Sequence, residues 1–274
     1  MKRLMVLLFA ALLVCGITGT ARGAPILLSG LSGAPVSDPS GQVSGVSGWT
    51  DVAQANGTDC WLATASNMLG YSGWDGGIDL STASAIYNYA APLWSNVEGS
   101  PYFPIEWWFD GQNSPPDATW PSVSGGGNFY SQALFGTSLG WASGSSVTTT
   151  NVQQWIQQDV AANAVFTMLL GNASEGVHFL TGWGYESDGS GNVSGVYFTD
   201  SFANADALQY TPLTCDATDC HLGVYSSLWV LEMGALSYNQ GNVPPNVPAP
   251  VPEPATLLLL GTGLSGLFIF RKKR

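Results

Sequence analysis

Basic side chains are missing from most of this 274-residue chain. Its seven Lys and Arg residues lie at positions 2, 3, 22 and 271–274, so the stretch from Ala24 to Pro252 has none. All of the nineteen Asp and Glu residues except Glu253 fall in that same stretch. Such an acidic surface repels phosphate backbones and anionic lipids. The composition therefore disfavours nucleic acid as a partner.

Histidine and cysteine are also scarce. The chain has two histidines, His178 and His221, and four cysteines. Cys60, His178 and His221 show none of the paired spacings of a structural zinc site, so we expect no metal and no other cofactor. Cys215 and Cys220 bracket a short loop and are predicted to form a disulfide, which export would permit. Cys60 is then the odd cysteine, and is either buried, intermolecular or reactive.

The two ends of the chain look like targeting segments rather than parts of the fold. Residues 1–23 combine a charged start, an apolar run and a small-x-small end, which predicts a secretory signal peptide followed by a linker over 24–45. At the other end, a proline-rich spacer over 238–250 precedes the segment 251–274. That segment runs Pro-Glu-Pro, sixteen largely apolar residues and a basic end.

The order of features in 251–274 resembles the PEP-CTERM sorting signal. The resemblance implies export, transient anchoring in the inner membrane, and removal of the tail by an exosortase-type enzyme, which leaves the protein at the cell surface or secreted. It also fits an exopolysaccharide-associated role. A simple tail anchor is the alternative, since a basic end fixes orientation in either case.

The middle of the chain, residues 46–237, is long enough for one good core. Thr58-Asp59 followed by Cys60 to Gly70 predicts a short helix with a cap before it and a glycine stop. Cys60 then lies at the helix N-terminus, where the dipole favours a thiolate. A second helix is predicted over Asn151–Ala162. Strands are predicted at Ala164–Leu170, His178–Glu186, Val193–Asp200 and Val224–Glu232.

A predicted hairpin brings His178 and Asp200 together. The turn residues Ser187 to Gly191 separate two strand-like runs, and a turn centred near Gly189 places His178 directly opposite Asp200. Opposed residues share one face of the sheet, so the carboxylate can orient the imidazole. A satisfied core histidine is the alternative. His221, beside Cys220, is expected at the surface.

Gln54 completes the predicted site. Its side-chain amide, six residues before Cys60, can donate to the oxyanion that forms when a thiolate attacks an acyl carbon. In the region between Gly73 and Gly144, Trp107, Trp108 and Trp120 are candidates for a substrate groove, although core packing is the commoner role of such aromatics.

Several segments resemble the IdeS/Mac immunoglobulin-degrading cysteine peptidases. They are Gly48–Gln54, Asp59–Leu69, and His178 with Trp183-Gly184 and Tyr197–Ser201, within a similarity that spans about residues 46–235. The resemblance implies an α+β, papain-like fold in two parts: a helical part that carries Cys60 and an antiparallel sheet that carries His178 and Asp200, with a cleft between them. It assigns the three residues as nucleophile, base and orienting acid.

The chain departs from this family at two positions. Gln54 stands where the family has an oxyanion-hole lysine, and Phe202 stands where it has a second acidic residue. The antibody specificity of the family is therefore not expected here. The sequence predicts an exported cysteine endopeptidase acting on a protein or peptide substrate, and leaves open a catalytically inactive matrix or binding protein on the same scaffold.

Overall fold

The computed structural model describes residues 23–94, 98–112, 123, 126–172, 176–202 and 206–241. The predicted signal peptide up to residue 22, the spacer from residue 242 and the C-terminal tail lie outside these residues, as does Trp120.

The described residues form ten strands and five α-helices. The strands are β1 (Pro25–Leu27), β2 (Ser32–Ser37), β3 (Val43–Ser47), β4 (Leu139–Ser143), β5 (Val165–Asn172), β6 (Gly176–Ser187), β7 (Val193–Thr199), β8 (Gln209–Cys215), β9 (Cys220–Leu222) and β10 (Trp229–Leu236). The helices are α1 (Cys60–Tyr71), α2 (Ala83–Ala90), α3 (Tyr102–Asp110), α4 (Gln132–Ser138) and α5 (Thr149–Ala161).

Eight of the strands form one antiparallel sheet. Their order is β1-β6-β5-β10-β9-β8-β7, with β4 paired to β10 and an additional pairing between β6 and β7. β2 and β3 form a separate two-stranded hairpin. His178 lies on β6 and Asp200 directly follows the last residue of β7, so this sheet positions both residues.

The predicted papain-like division into a helical part and a sheet is wrong. The described chain is built on the eight-stranded sheet, and its five helices are short. Three strands precede α1, and β4 lies between α4 and α5. Helix α1 packs directly on β6 and β5, while α5 packs on β5, β6, β7 and β10. The helices therefore cover the sheet.

The segment over 24–45, predicted as a linker, contains strand structure. Pro25, Ile26 and Leu27 pair with Glu186, Tyr185 and Gly184 of β6. The β2–β3 hairpin begins within the same segment. This part of the chain therefore contributes an edge strand to the sheet that carries His178.

Helix α1 is buried over its first ten residues, Cys60 to Leu69. The predicted glycine stop does not occur at Gly70, because the helix continues to Tyr71. A Cβ atom at Gly70 would lie 2.6 Å from the backbone nitrogen of Ala83, so the glycine allows α2 to approach closely. The next glycine, Gly73, has a φ of 71° and follows the helix end. Position 70 is thus a packing glycine.

Helix α5 matches the predicted helix to within two residues at its start. The side chain of Thr148 accepts a hydrogen bond from the backbone N–H of Asn151, which caps the helix. Val152, Ile156 and Val160 recur at four-residue spacing and are buried. This apolar stripe faces the sheet, and the remaining helix surface is largely polar. No helix among the described residues is long and apolar enough to cross a membrane.

Two strand predictions and one groove prediction need correction. The last strand begins at Trp229, because residues 223–225 form a 3-10 turn where Val224 was expected to start it. Strand β8, which contains Pro212, and strand β9 were not predicted. Trp107 and Trp108 are 0% exposed in α3, so they pack in the core and line no substrate groove.

Candidate active site

Cys60 is the first residue of α1 and is 8% exposed. It is the free cysteine of the described chain. Asp59 occupies the cap position without a side-chain hydrogen bond to the helix. Its carboxylate accepts instead from Asn56 Nδ2 at 2.8 Å and from the Tyr87 hydroxyl at 3.3 Å. These contacts hold the loop that leads into Cys60.

A polar contact between α1 and the sheet fixes the helix near His178. Asn67 Nδ2 donates to Thr181 Oγ1 and to Asp51 Oδ1, each at 3.3 Å. Thr181 lies three residues after His178 on β6, and Asn67 lies two turns after Cys60 on α1. The separation between the thiol and the imidazole is therefore set by two regular elements and not by a loop.

His178 and Asp200 are hydrogen-bonded, with 2.7 Å between Nε2 and Oδ1. Their predicted register is off by two residues, because Thr199 pairs with Thr181 and not with Phe179. A shift of two residues keeps every side chain on its original face. The two residues therefore meet diagonally, a distance that an imidazole can span.

Asp200 has two further partners. The backbone N–H of Phe202 donates to Oδ1 at 2.9 Å, and the hydroxyl of Tyr225 donates to Oδ2. Burial works against the carboxylate, but the hydrogen bond and charge of His178, with the Tyr225 and Phe202 bonds, hold the pKa of Asp200 below its usual range. Burial and the Asp200 charge raise the pKa of Tyr225. Asp200 is thus an ionised buried carboxylate.

Tyr225 was not predicted as a site residue from the sequence. The residue follows Asp200 by twenty-five positions and lies in the 3-10 turn before β10, a region predicted as strand. Its ring centroid is 6.2 Å from that of His178. No local motif marks this position, so only the closure of the sheet through β8 and β9 brings it to Asp200.

The imidazole of His178 has partners on both sides. Burial lowers its pKa, but hydrogen bonds and charge interactions with Asp200 and Cys60 outweigh burial and raise the pKa of His178 to about 10. Because Nε2 donates to Asp200, Nδ1 is the ring nitrogen left to exchange a proton with Cys60. The imidazole of His178 thus interacts with both of its predicted partners, by a hydrogen bond with Asp200 and by a close approach to Cys60.

Gln54 is held by three hydrogen bonds, two of them with Ser201, the residue after Asp200. Its Nε2 donates to the backbone oxygen of Asn56 at 2.7 Å, and its Oε1 accepts from Ser201 Oγ at 3.0 Å. Its backbone N–H donates to the Ser201 carbonyl at 3.1 Å. Since Ser201 follows Asp200 directly, these bonds tie the Gln54 loop to the acidic end of the site. One amide N–H is committed to Asn56.

Phe202 places an apolar side chain near His178, at the position where the IdeS/Mac peptidases have a second acidic residue. Its side chain is 70% exposed, and its ring centroid lies 6.4 Å from that of His178. The position therefore contributes no charge to the imidazole. Its backbone N–H still supports Asp200.

Cys215 and Cys220 form a disulfide across the β8–β9 hairpin. His221 lies beside it, and its Nδ1 donates to the carbonyl of Leu228 at 3.0 Å. His221 is therefore bound into the hairpin and takes no part in the Cys60 site. In the described part of the chain, no group of three or more His, Cys, Asp or Glu side chains is arranged to hold a metal ion.

The comparison with known families identifies a protein-sorting signal outside the described residues. The family model for the PEP-CTERM protein-sorting motif matches residues 250–274. The chain carries a PEP-CTERM sorting signal. This motif marks an exported protein that is processed by an exosortase. It covers none of residues 46–235, and no matching family model supports the resemblance of those residues to the IdeS/Mac peptidases. No curated protein matches the chain.

Proposed function

We propose that the protein is an exported cysteine peptidase that hydrolyses peptide bonds with Cys60, His178 and Asp200. One observation carries the proposal: a buried thiol at a helix start and a buried carboxylate contact the same imidazole. This is the arrangement of nucleophile, base and orienting acid. The resemblance to the IdeS/Mac peptidases supports the same three roles.

In the proposed reaction, the Cys60 thiolate attacks the carbonyl carbon of the scissile bond. The raised His178 pKa favours an imidazolium, which stabilises the thiolate and then gives its Nδ1 proton to the departing amine. Water hydrolyses the resulting thioester and returns a proton to His178. Asp200 holds the ring orientation throughout, since Nε2–H stays bonded to it.

The oxyanion would be stabilised by the backbone N–H of Cys60 and by Gln54. The amide of Gln54 carries two N–H donors, one of which binds Asn56 and fixes its direction. The second is the donor that we assign to the oxyanion. A preoriented donor of this kind contributes through its fixed geometry.

A peptide-library digest tests the proposal. The purified full-length protein is incubated with the library and the products are identified by mass spectrometry. We expect Cys60→Ser to lower turnover by a factor on the order of 10⁶, as for other nucleophile knockouts. His178→Gln should be similarly inactive, whereas the matched control His221→Gln should retain activity. Cleavage that persists in Cys60→Ser would refute the proposal.

A non-catalytic matrix or binding protein is the second candidate. It is favoured by the full set of hydrogen bonds around Asp200, because His178, Phe202 and Tyr225 could serve stability alone. In that case the wild type gives no cleavage, and His178→Gln changes the melting temperature only.

The sorting signal leads to a separate proposal about the mature chain. We infer that exosortase processing removes the tail near Pro252–Pro254, after transient anchoring, and releases the body to the cell surface, where an exopolysaccharide is a fitting partner. Since Ala24 to Pro252 contains no Lys or Arg, the mature body should resist trypsin even when denatured. Intact mass of the exported protein checks this, and a mass that includes 255–274 would contradict processing.

A further inference from the structure

A cavity lies away from Cys60, between helix α5 and the strands β4 and β10. Its volume is about 270 Å³, and its walls include Trp141, Trp155, Asp159 and Met233. Its floor is formed by small residues, among them Gly234. Two indoles and a carboxylate thus surround a space that is large enough for a small organic group.

The indole of Trp141 is held in a fixed orientation. Trp141 pairs with Gly234, and a Cβ atom at position 234 would lie 2.2 Å from two carbons of the indole ring. The ring therefore lies against the backbone of a residue that has no side chain. The Trp141 side chain also hydrogen-bonds to the carboxylate of Glu232, whose pKa burial raises. An oriented aromatic wall results.

Asp159 faces this cavity from α5, one turn after Trp155. Burial raises its pKa to about 7, and burial is the sole influence on it among the described residues, with no hydrogen bond or neighbouring charge. Asp159 is half-buried, and a carboxylate that loses part of its hydration is normally stabilised by a hydrogen-bonding or charged partner. Asp159 has none within the described part of the chain.

The chain itself offers no counter-ion for Asp159 within its body. Between Ala24 and Phe270 there is no Lys or Arg. Of the two histidines, His178 is bonded to Asp200, and His221 is bonded to Leu228. A cation that neutralises Asp159 must therefore come from another molecule or from the basic residues at the chain ends.

We propose that this cavity binds an organic cation, an ammonium or guanidinium group, between the faces of Trp141 and Trp155 and against the carboxylate of Asp159. Aromatic faces attract a desolvated cation through their quadrupoles, and the carboxylate adds a direct ionic contact. The cavity is independent of the Cys60 chemistry, and the ligand is either a free amine or a cationic side chain of another segment.

Calorimetric titration of the purified full-length protein with choline tests the cavity. The matched neutral probe is 3,3-dimethylbutan-1-ol, which has the same shape without the charge. We expect choline to bind and the alcohol to bind at least tenfold more weakly. Equal binding of both, or binding of a neutral sugar in place of choline, would overturn the proposal.

Variants assign the binding to this cavity. Asp159→Asn and Trp155→Leu should each weaken choline binding at least tenfold, while Asp79→Asn, which removes an exposed carboxylate elsewhere, should leave it unchanged. Unchanged binding in Asp159→Asn would overturn the proposal. Replacement of the four basic tail residues 271–274 by Gln distinguishes the sources: tighter choline binding identifies the tail as occupant, and unchanged binding identifies an external cation.

Discussion

Two carboxylates of this protein, the buried Asp200 and the half-buried Asp159, have pKa values shifted in opposite directions. Asp200 is 1% exposed, yet its pKa is held below the usual range, whereas burial raises the pKa of Asp159 to about 7. Burial disfavours the ionised form of both. Only Asp200 has donors that overcome burial, from His178, Tyr225 and the Phe202 backbone.

The difference shows what a body without Lys or Arg must use for charge compensation. In the described chain, a histidine and a tyrosine hydroxyl stabilise the buried Asp200 carboxylate, a role that an arginine usually has beside a buried acid. The same contact affects His178, because Asp200 raises the pKa of the imidazole and fixes the orientation of the ring. A carboxylate that lacks such donors, like Asp159, is left for an external cation.

Removal of the Asp200 charge should have the larger effect. Asp200→Asn keeps the size of the side chain but removes its charge and replaces one of the two acceptor oxygens with an amide donor, which disturbs the orientation of His178. We expect kcat to fall by up to about 10⁴ with KM nearly unchanged, by analogy with other triads. Steady-state kinetics on a peptide from the library measures this, with Asp79→Asn as the control. A change confined to KM would argue that Asp200 serves substrate binding instead.

Asp200→Asn also tests how Asp200 contributes to the free energy of unfolding at acid pH. Because the folded pKa of Asp200 lies below the ordinary value of 3.8, its stabilisation is present above that value and is lost as the pH falls. Asp200→Asn should therefore flatten the loss of stability on the acid side. Urea unfolding at several pH values measures the slope.

Asp159→Asn should have the smaller effect, and of opposite sign. The folded pKa of Asp159 is above its ordinary value of 3.8, so ionisation costs stability that is recovered as the pH falls from above 7 toward 4. We expect the variant to be more stable than the wild type by roughly 1–3 kcal/mol at alkaline pH and equal to it near pH 4. Urea unfolding without added amine measures this difference. A destabilised variant at alkaline pH would show that Asp159 already has a partner.

The sequence allowed the local half of the candidate site to be predicted. The turn residues around Gly189 indicate the β6–β7 hairpin, and the hairpin places His178 and Asp200 on one face even with a register error of two residues. Bulges at Gly182 and Glu186 cause part of this irregularity. A bulge has no clear signature in a single sequence, so the diagonal geometry could not be foreseen.

The part of the site that depends on contacts between residues distant in sequence could not be predicted. Tyr225 meets Asp200 because β8, β9 and β10 return the chain to β7, and two of those strands are short or interrupted by proline. The layout was wrong for the same reason: the early strands β1 to β3 are rich in Gly, Ser and Pro, and their strand character depends on pairing partners. Helix α5, by contrast, follows from its apolar spacing and its Thr148 cap, and helix α1 follows from its apolar positions.

Cys60 and His178 are proposed to react as a pair, and the pH dependence of Cys60 alkylation tests this pairing. Iodoacetamide labelling of Cys60 is followed by mass spectrometry at about pH 6 and about pH 9, and the ratio of the two rates cancels the effect of burial. An ordinary thiol labels roughly two hundredfold faster at the higher pH. A reactive pair of Cys60 and His178 should give a ratio below about tenfold for the wild type and a return toward two hundredfold in His178→Gln. A wild-type ratio equal to that of an ordinary thiol would contradict it.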